Sequence, residues 1–77
     1  MVDPRNVLSR RELDVLRLTS TGLTNSEVAA NLSVSVHAVK FHLAAVYRKL
    51  GVGNRTEAAG LYLRAVLPAG EGHEASV

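Results

Sequence analysis

"VHAVKFHLAAVYRKLG", residues 36–51, decides how this 77-residue chain folds. Val39, Leu43, Val46 and Leu50 recur at spacings of four, three and four. At about 100° per residue those positions form one narrow aliphatic seam along an α-helix. His37, Phe41, Ala44, Ala45 and Arg48 fall on the opposite side, Lys40 and Tyr47 lie on one flank, and His42 sits at the other edge of the seam. The stretch holds no acidic residue. A helix with its aliphatic seam turned inward would present cations, two alanines and a bare aromatic ring on its outer face.

Working outward, Ser35 is the expected N-cap of this helix and Gly51 the residue that ends it. Before it, Ser9-Arg10-Arg11-Glu12 and Thr24-Asn25-Ser26-Glu27 both have capping-box spacing, in which a hydroxyl accepts an amide hydrogen and a glutamate reaches back. The first box opens a helix running to about Ser20, with Leu13, Val15, Leu16, Leu18 and Thr19 as its stripe and Leu8 as a staple. Thr21-Gly22 stops it. The second opens a short helix to about Asn31, with Val28, Ala29 and Leu32 inward. Only "LSVS" then separates the second and third helices, the connection length of a helix-turn-helix. After Gly51, "GVGN" makes a tight link in which Val52 plugs the core. Asn54-Arg55-Thr56-Glu57 starts a fourth helix that runs to Leu67 and stops at Pro68. That helix is apolar almost all round, so one side is expected to seek a partner. Residues 1–7 read as a leader, 8–67 as the folded domain and 68–77 as a flexible tail.

Composition sets the limits. A chain this short buries only roughly 60% of its unfolded surface, which leaves little room for an enzyme cleft. Hydrophobic residues make up 47% and charged residues 21%, ordinary globular usage. The absence of cysteine removes a disulfide framework and a thiolate zinc site. No apolar run approaches the ~20 residues of a membrane span and the start lacks a secretory layout, so a cytoplasmic protein is expected. Net charge is +2, unevenly spread: Lys40, Arg48, Lys49 and Arg55 put +4 between residues 28 and 56, against −2 elsewhere. Such a segment is a candidate anion-facing patch.

A helix fits the major groove of duplex DNA, where base edges show donors, acceptors and the thymine methyl. Lys40 could donate to guanine or phosphate, Phe41 could touch thymine methyls, and small residues would allow close approach. Helix N-termini, with Thr24, Asn25 and Ser35, suit phosphate oxygens.

The motifs "LSRRELDVLRL", "GLTNSEVAANLSVS", "VKFHLAAVYRKLGV" and "NRTEA" resemble the LuxR-type (GerE-type) helix-turn-helix domain of bacterial transcription regulators. The resemblance runs from Leu8 to about Arg64. It implies an all-α, four-helix domain whose second and third helices form the helix-turn-helix. It also implies a sequence-specific regulator that needs no cofactor, metal or small molecule in this domain. Lys40, Phe41, Ala44 and His37 would face bases, and Thr24, Asn25, Ser35, Arg48 and Lys49 the DNA backbone. Leu61, Tyr62, Ala65 and Leu67 would pair two copies on operator half-sites, and RNA polymerase is a further partner such a regulator would meet. The chain departs from the family pattern where a threonine usually precedes "VK", because Ala38 stands there and removes one hydroxyl from the phosphate contacts. Ala44 stands where a polar residue is frequent and Phe41 where a smaller aliphatic is usual, which points to apolar readout.

Plainer readings stand beside these. Phe41 could pack on a neighbouring segment of a larger protein. His42 reads as a structural residue, and Glu12 as a cap with Arg55 or Arg11 as its ionic partner. His37 and His42 point about 140° apart, too far for joint metal ligation. "GVGNRT" lacks the lysine and strand of a phosphate loop. A sigma-factor-like promoter reader shares the capped first helices but not the "KLGVGNRTEA" extension. A helical adaptor that binds a protein through the fourth helix, without touching DNA, is the rival of another class. The chain could stand alone or be the effector part of a longer protein with a receiver or ligand-sensing domain.

Overall fold

The computed structural model describes residues 3–67, which form helices α1 (Pro4–Val7), α2 (Arg10–Ser20), α3 (Asn25–Leu32), α4 (Val36–Leu50) and α5 (Arg55–Val66). No strand occurs among the described residues. The four expected helices are α2 to α5, and the all-helical class holds. The flexible tail expected at 68–77 lies outside the described residues.

Each N-terminus is satisfied locally. Ser9 Oγ accepts from the Glu12 amide at 3.2 Å while Glu12 Oε1 accepts from the Ser9 amide at 2.9 Å. Thr24 and Glu27 repeat the arrangement at 3.1 and 2.8 Å. Ser35 Oγ accepts from Ala38 N–H at 3.0 Å. At α5 the box is shifted by one residue: Asn54 Oδ1 accepts from the Glu57 amide, but Glu57 Oε1 takes its hydrogen from Gly53 N–H at 2.7 Å. Each such cap contributes about 1 kcal/mol.

The ends of α3 and α4 follow one design. After α4, Gly51 is left-handed (φ 69°), Gly51 N–H donates to Arg48 C=O at 3.3 Å, and Val52 N–H donates to Tyr47 C=O at 3.0 Å. After α3 the same Schellman pattern is built on Ser33 at φ 58°, with Val34 N–H on Ala29 C=O at 3.0 Å. Val34 and Val52 are thereby turned inward against the core.

Two apolar clusters share α2 and α4. Val15 and Leu18 meet Val28, Ala29, Val39 and Leu43, locking α3 against α4. Leu16 meets Val46, Leu50 and Ala58, holding α5. Tyr47 packs against both. The seam read from the sequence, Val39, Leu43, Val46 and Leu50, is buried throughout, and burying each such side chain contributes roughly 1.5–3 kcal/mol.

Two differences from the sequence reading follow from packing. Residues 4–7, taken as leader, form a helical turn capped by Asp3, with Pro4 buried and the turn resting on α4 and α5. Four residues are too few to carry a periodicity. Ala45, taken as outward, is 6% exposed. It lies one turn before Lys49, whose ammonium reaches Glu12 on α2, so that flank of α4 is covered and a small side chain fits it.

Candidate nucleic-acid interface

The outer face of α4 is open. His37, Lys40, Phe41, Ala44 and Arg48 are all exposed, and Phe41 is 70% exposed. The Phe41 ring thus stands in water on the side of α4 opposite the face that fills the core. Among the described residues its aromatic neighbour is the half-buried His42, edge to face at 5.8 Å and 71°, a favourable geometry for such a pair. Lys40 and Arg48 pair with no carboxylate among the described residues.

The N-caps leave donors unspent. Thr24 and Ser35 use their oxygens as acceptors for backbone amides, so each hydroxyl hydrogen remains for an outside acceptor. Both residues are exposed. Asn25 is half-buried, and its amide oxygen accepts from Arg55 Nη2. Its NH2 group therefore remains for another partner.

Lys49 is placed differently from the others. Its ammonium lies 2.8 and 3.1 Å from the two carboxylate oxygens of Glu12, itself 8% exposed. This pair corrects the expected partner of Glu12, which is neither Arg55 nor Arg11. Arg55 is turned instead to Leu23 C=O at 2.8 Å and to Asn25. The Lys49 hydrogen bond, then the Ser9 amide, hold the Glu12 carboxyl below the usual carboxylate range despite its burial. Of the four cations counted from the sequence, two are thus engaged within the domain. A separation of 37 residues between Glu12 and Lys49 carries no local signal.

On α5, Leu61 and Tyr62 pack against the second cluster and Ala65 is half-buried, while Leu67 is 54% exposed. Leu63 and Val66, absent from the expected pairing set, are exposed three residues apart on α5, as is Leu67, the extended residue that caps it. Among the described residues no group of His, Cys, Asp or Glu could hold a metal ion, and no helix is long and apolar enough to cross a membrane.

Residues 6–62 match the family model "Bacterial regulatory proteins, luxR family". The chain is 44% identical over 62 residues to the nitrate/nitrite response regulator protein NarP of Escherichia coli K12, covering 80% of this chain and 29% of NarP. Among solved structures, response regulator ChrA of a heme-sensing two-component system is similar with a TM-score of 0.69 and 46% identity over 74% of this chain and 28% of ChrA. The DNA-binding domain of response regulator ComA, solved in complex with the anti-activator RapF, gives a TM-score of 0.69 and 38% identity over 71% of this chain and 95% of that domain. The chain thus spans less than a third of NarP and ChrA, but nearly all of an isolated DNA-binding domain. The chain is also 39% identical over 56 residues to the transcriptional regulatory protein LiaR of Bacillus subtilis 168, covering 73% of this chain and 26% of LiaR. With its helix-turn-helix built from α3 and α4 and its match over residues 6–62, this chain belongs to the luxR family of bacterial regulatory proteins and carries the family's DNA-binding helix-turn-helix domain.

Proposed function

We propose that this domain reads double-stranded DNA sequence-specifically with α4 in the major groove, as part of a cytoplasmic transcription regulator that pairs through α5 on operator half-sites. The observation that carries the reading is Phe41, exposed beside Lys40 and Ala44 on a helix whose other side is the core. His37 extends that base-facing set by one turn. Affinity comes from cations and amides meeting phosphates, with Thr24, Asn25, Ser35 and Arg48 as the contacting groups. Lys49 acts chiefly by holding α2 against α4. Selectivity comes from apolar contact of Phe41 and Ala44 with base edges, with Lys40 as the polar reader. Domain limits of 8–67 extend naturally to include α1, because Pro4 is part of the packed body. RNA polymerase is the further partner this role requires.

Duplexes selected from a random pool supply the cognate site, and two substitutions then divide the roles. Phe41→Ala is expected to weaken cognate binding by about tenfold while leaving random duplex alone, since one base contact contributes about 1–3 kcal/mol. Arg48→Ala is expected to weaken both alike and to flatten the salt dependence by about one unit of slope. Titrations in which both variants bind cognate and random DNA as the parent does would remove α4 from the groove.

A further inference from the structure

The first residue of α5 closes on the first turn of α3. Arg55 Nη1 donates to Leu23 C=O at 2.8 Å and Nη2 donates to Asn25 Oδ1, 30 residues away. A guanidinium has donors and no acceptor, so only the oxygen of the Asn25 amide can face it. The NH2 group is turned the other way. Asn25 directly follows Thr24, the cap whose hydroxyl hydrogen is unspent. Both therefore offer donors at the start of α3.

We propose that Arg55 is a positioning residue for the contact with the DNA backbone, acting through Asn25. The fork fixes the Asn25 amide so that its NH2, beside the Thr24 hydroxyl, meets a phosphate of the duplex that α4 occupies. Without the fork the amide turns freely, and in half of its orientations it sets an oxygen against a phosphate oxygen. The inference rests on the groove reading of α4 and adds to it a link between the pairing helix and the phosphate contact. It also assigns the Arg55 charge to an internal task rather than to the patch counted from the sequence.

A double-mutant cycle tests it. Arg55→Lys keeps the charge and loses the planar fork; Asn25→Ala removes the amide. Asn25→Ala is expected to weaken cognate and random duplex alike by about three- to tenfold, the value of one hydrogen bond, and Arg55→Lys by about twofold, the share of amide orientations lost. The double variant should bind no more weakly than Asn25→Ala, because the two residues act as one unit. Asn25→Asp guards against loss of folding: it offers Arg55 the same acceptor, should melt no lower than the parent, and should lose more affinity than Asn25→Ala. The proposal is overturned if Arg55→Lys weakens the Asn25→Ala protein as much as it weakens the parent, or if Asn25→Asp binds as the parent does. Phe41→Ala on the same duplexes separates the two failures. Loss of cognate binding there, with Arg55→Lys silent, sinks the positioning role alone; no loss there sinks the groove reading as well.

Discussion

Glu12 joins two parts of the domain through one carboxylate: the Ser9 amide that begins α2 and the Lys49 ammonium near the end of α4. The folded carboxyl titrates below its ordinary value, so its contribution is complete above the unfolded pKa, roughly 4.3, and is lost as pH falls through the folded value. Glu12→Gln keeps an oxygen for Ser9 but drops the charge. It should cost about 1–2 kcal/mol at neutral pH, and denaturant titrations should show this deficit shrinking as the pH is lowered below 4.5. An unchanged midpoint at pH 7 would mean the pair contributes nothing. Residue roles set by local spacing were legible beforehand: the caps at Ser9, Thr24, Ser35 and Asn54, the buried seam, and the openness of Phe41. Roles set by contacts across the fold were not. Lys49 reads as a free cation and Arg55 as part of the same patch or a partner of Glu12, because only the packing of α2 against α4, and of α5 near α3, shows what each one meets.

At the scale of elements, the turn of the helix-turn-helix rests on Ser33 in the left-handed region. Left-handed backbone costs an L-residue roughly 1–2 kcal/mol, and "LSVS" contains neither glycine nor asparagine to advertise it. Its length therefore places the turn, while nothing in its residues reveals its conformation. Ser33→Gly should relieve that strain, less about 0.4–1 kcal/mol for the added freedom of the unfolded chain. The expected result is a rise in melting temperature of about 2–6 °C, followed by circular dichroism. A fall would show that the Ser33 side chain contributes more than its backbone costs. Residues 4–7 were missed for a related reason: Asp3 and Pro4 are good starting residues, but a single turn offers no pattern to recognise.

At the scale of the whole molecule, α5 has two unlike faces. Ala58, Leu61 and Tyr62 complete the domain's own core, whereas Leu63, Val66 and Leu67 are aliphatic side chains in solvent. The composition of the helix leads one to expect a face left over from the core, and the packing shows which residues remain exposed. Leu63→Glu combined with Leu67→Glu should therefore leave thermal melting nearly unchanged while shifting the protein towards a monomer in sedimentation equilibrium. If the self-association constant of the double variant matches that of the parent, pairing uses another surface.

Because Lys49 and Arg55 are engaged inside the domain, Lys40 and Arg48 are the cations of this region that meet no carboxylate among the described residues. In the proposed complex Lys40 reads a base and Arg48 meets a phosphate, so this region contributes a slope of only about −1 in log affinity against log salt. A solitary copy should therefore dwell briefly on arbitrary sequence and be little depleted by the vast excess of decoy sites along a chromosome, so that occupancy of the true target would climb steeply with cellular abundance.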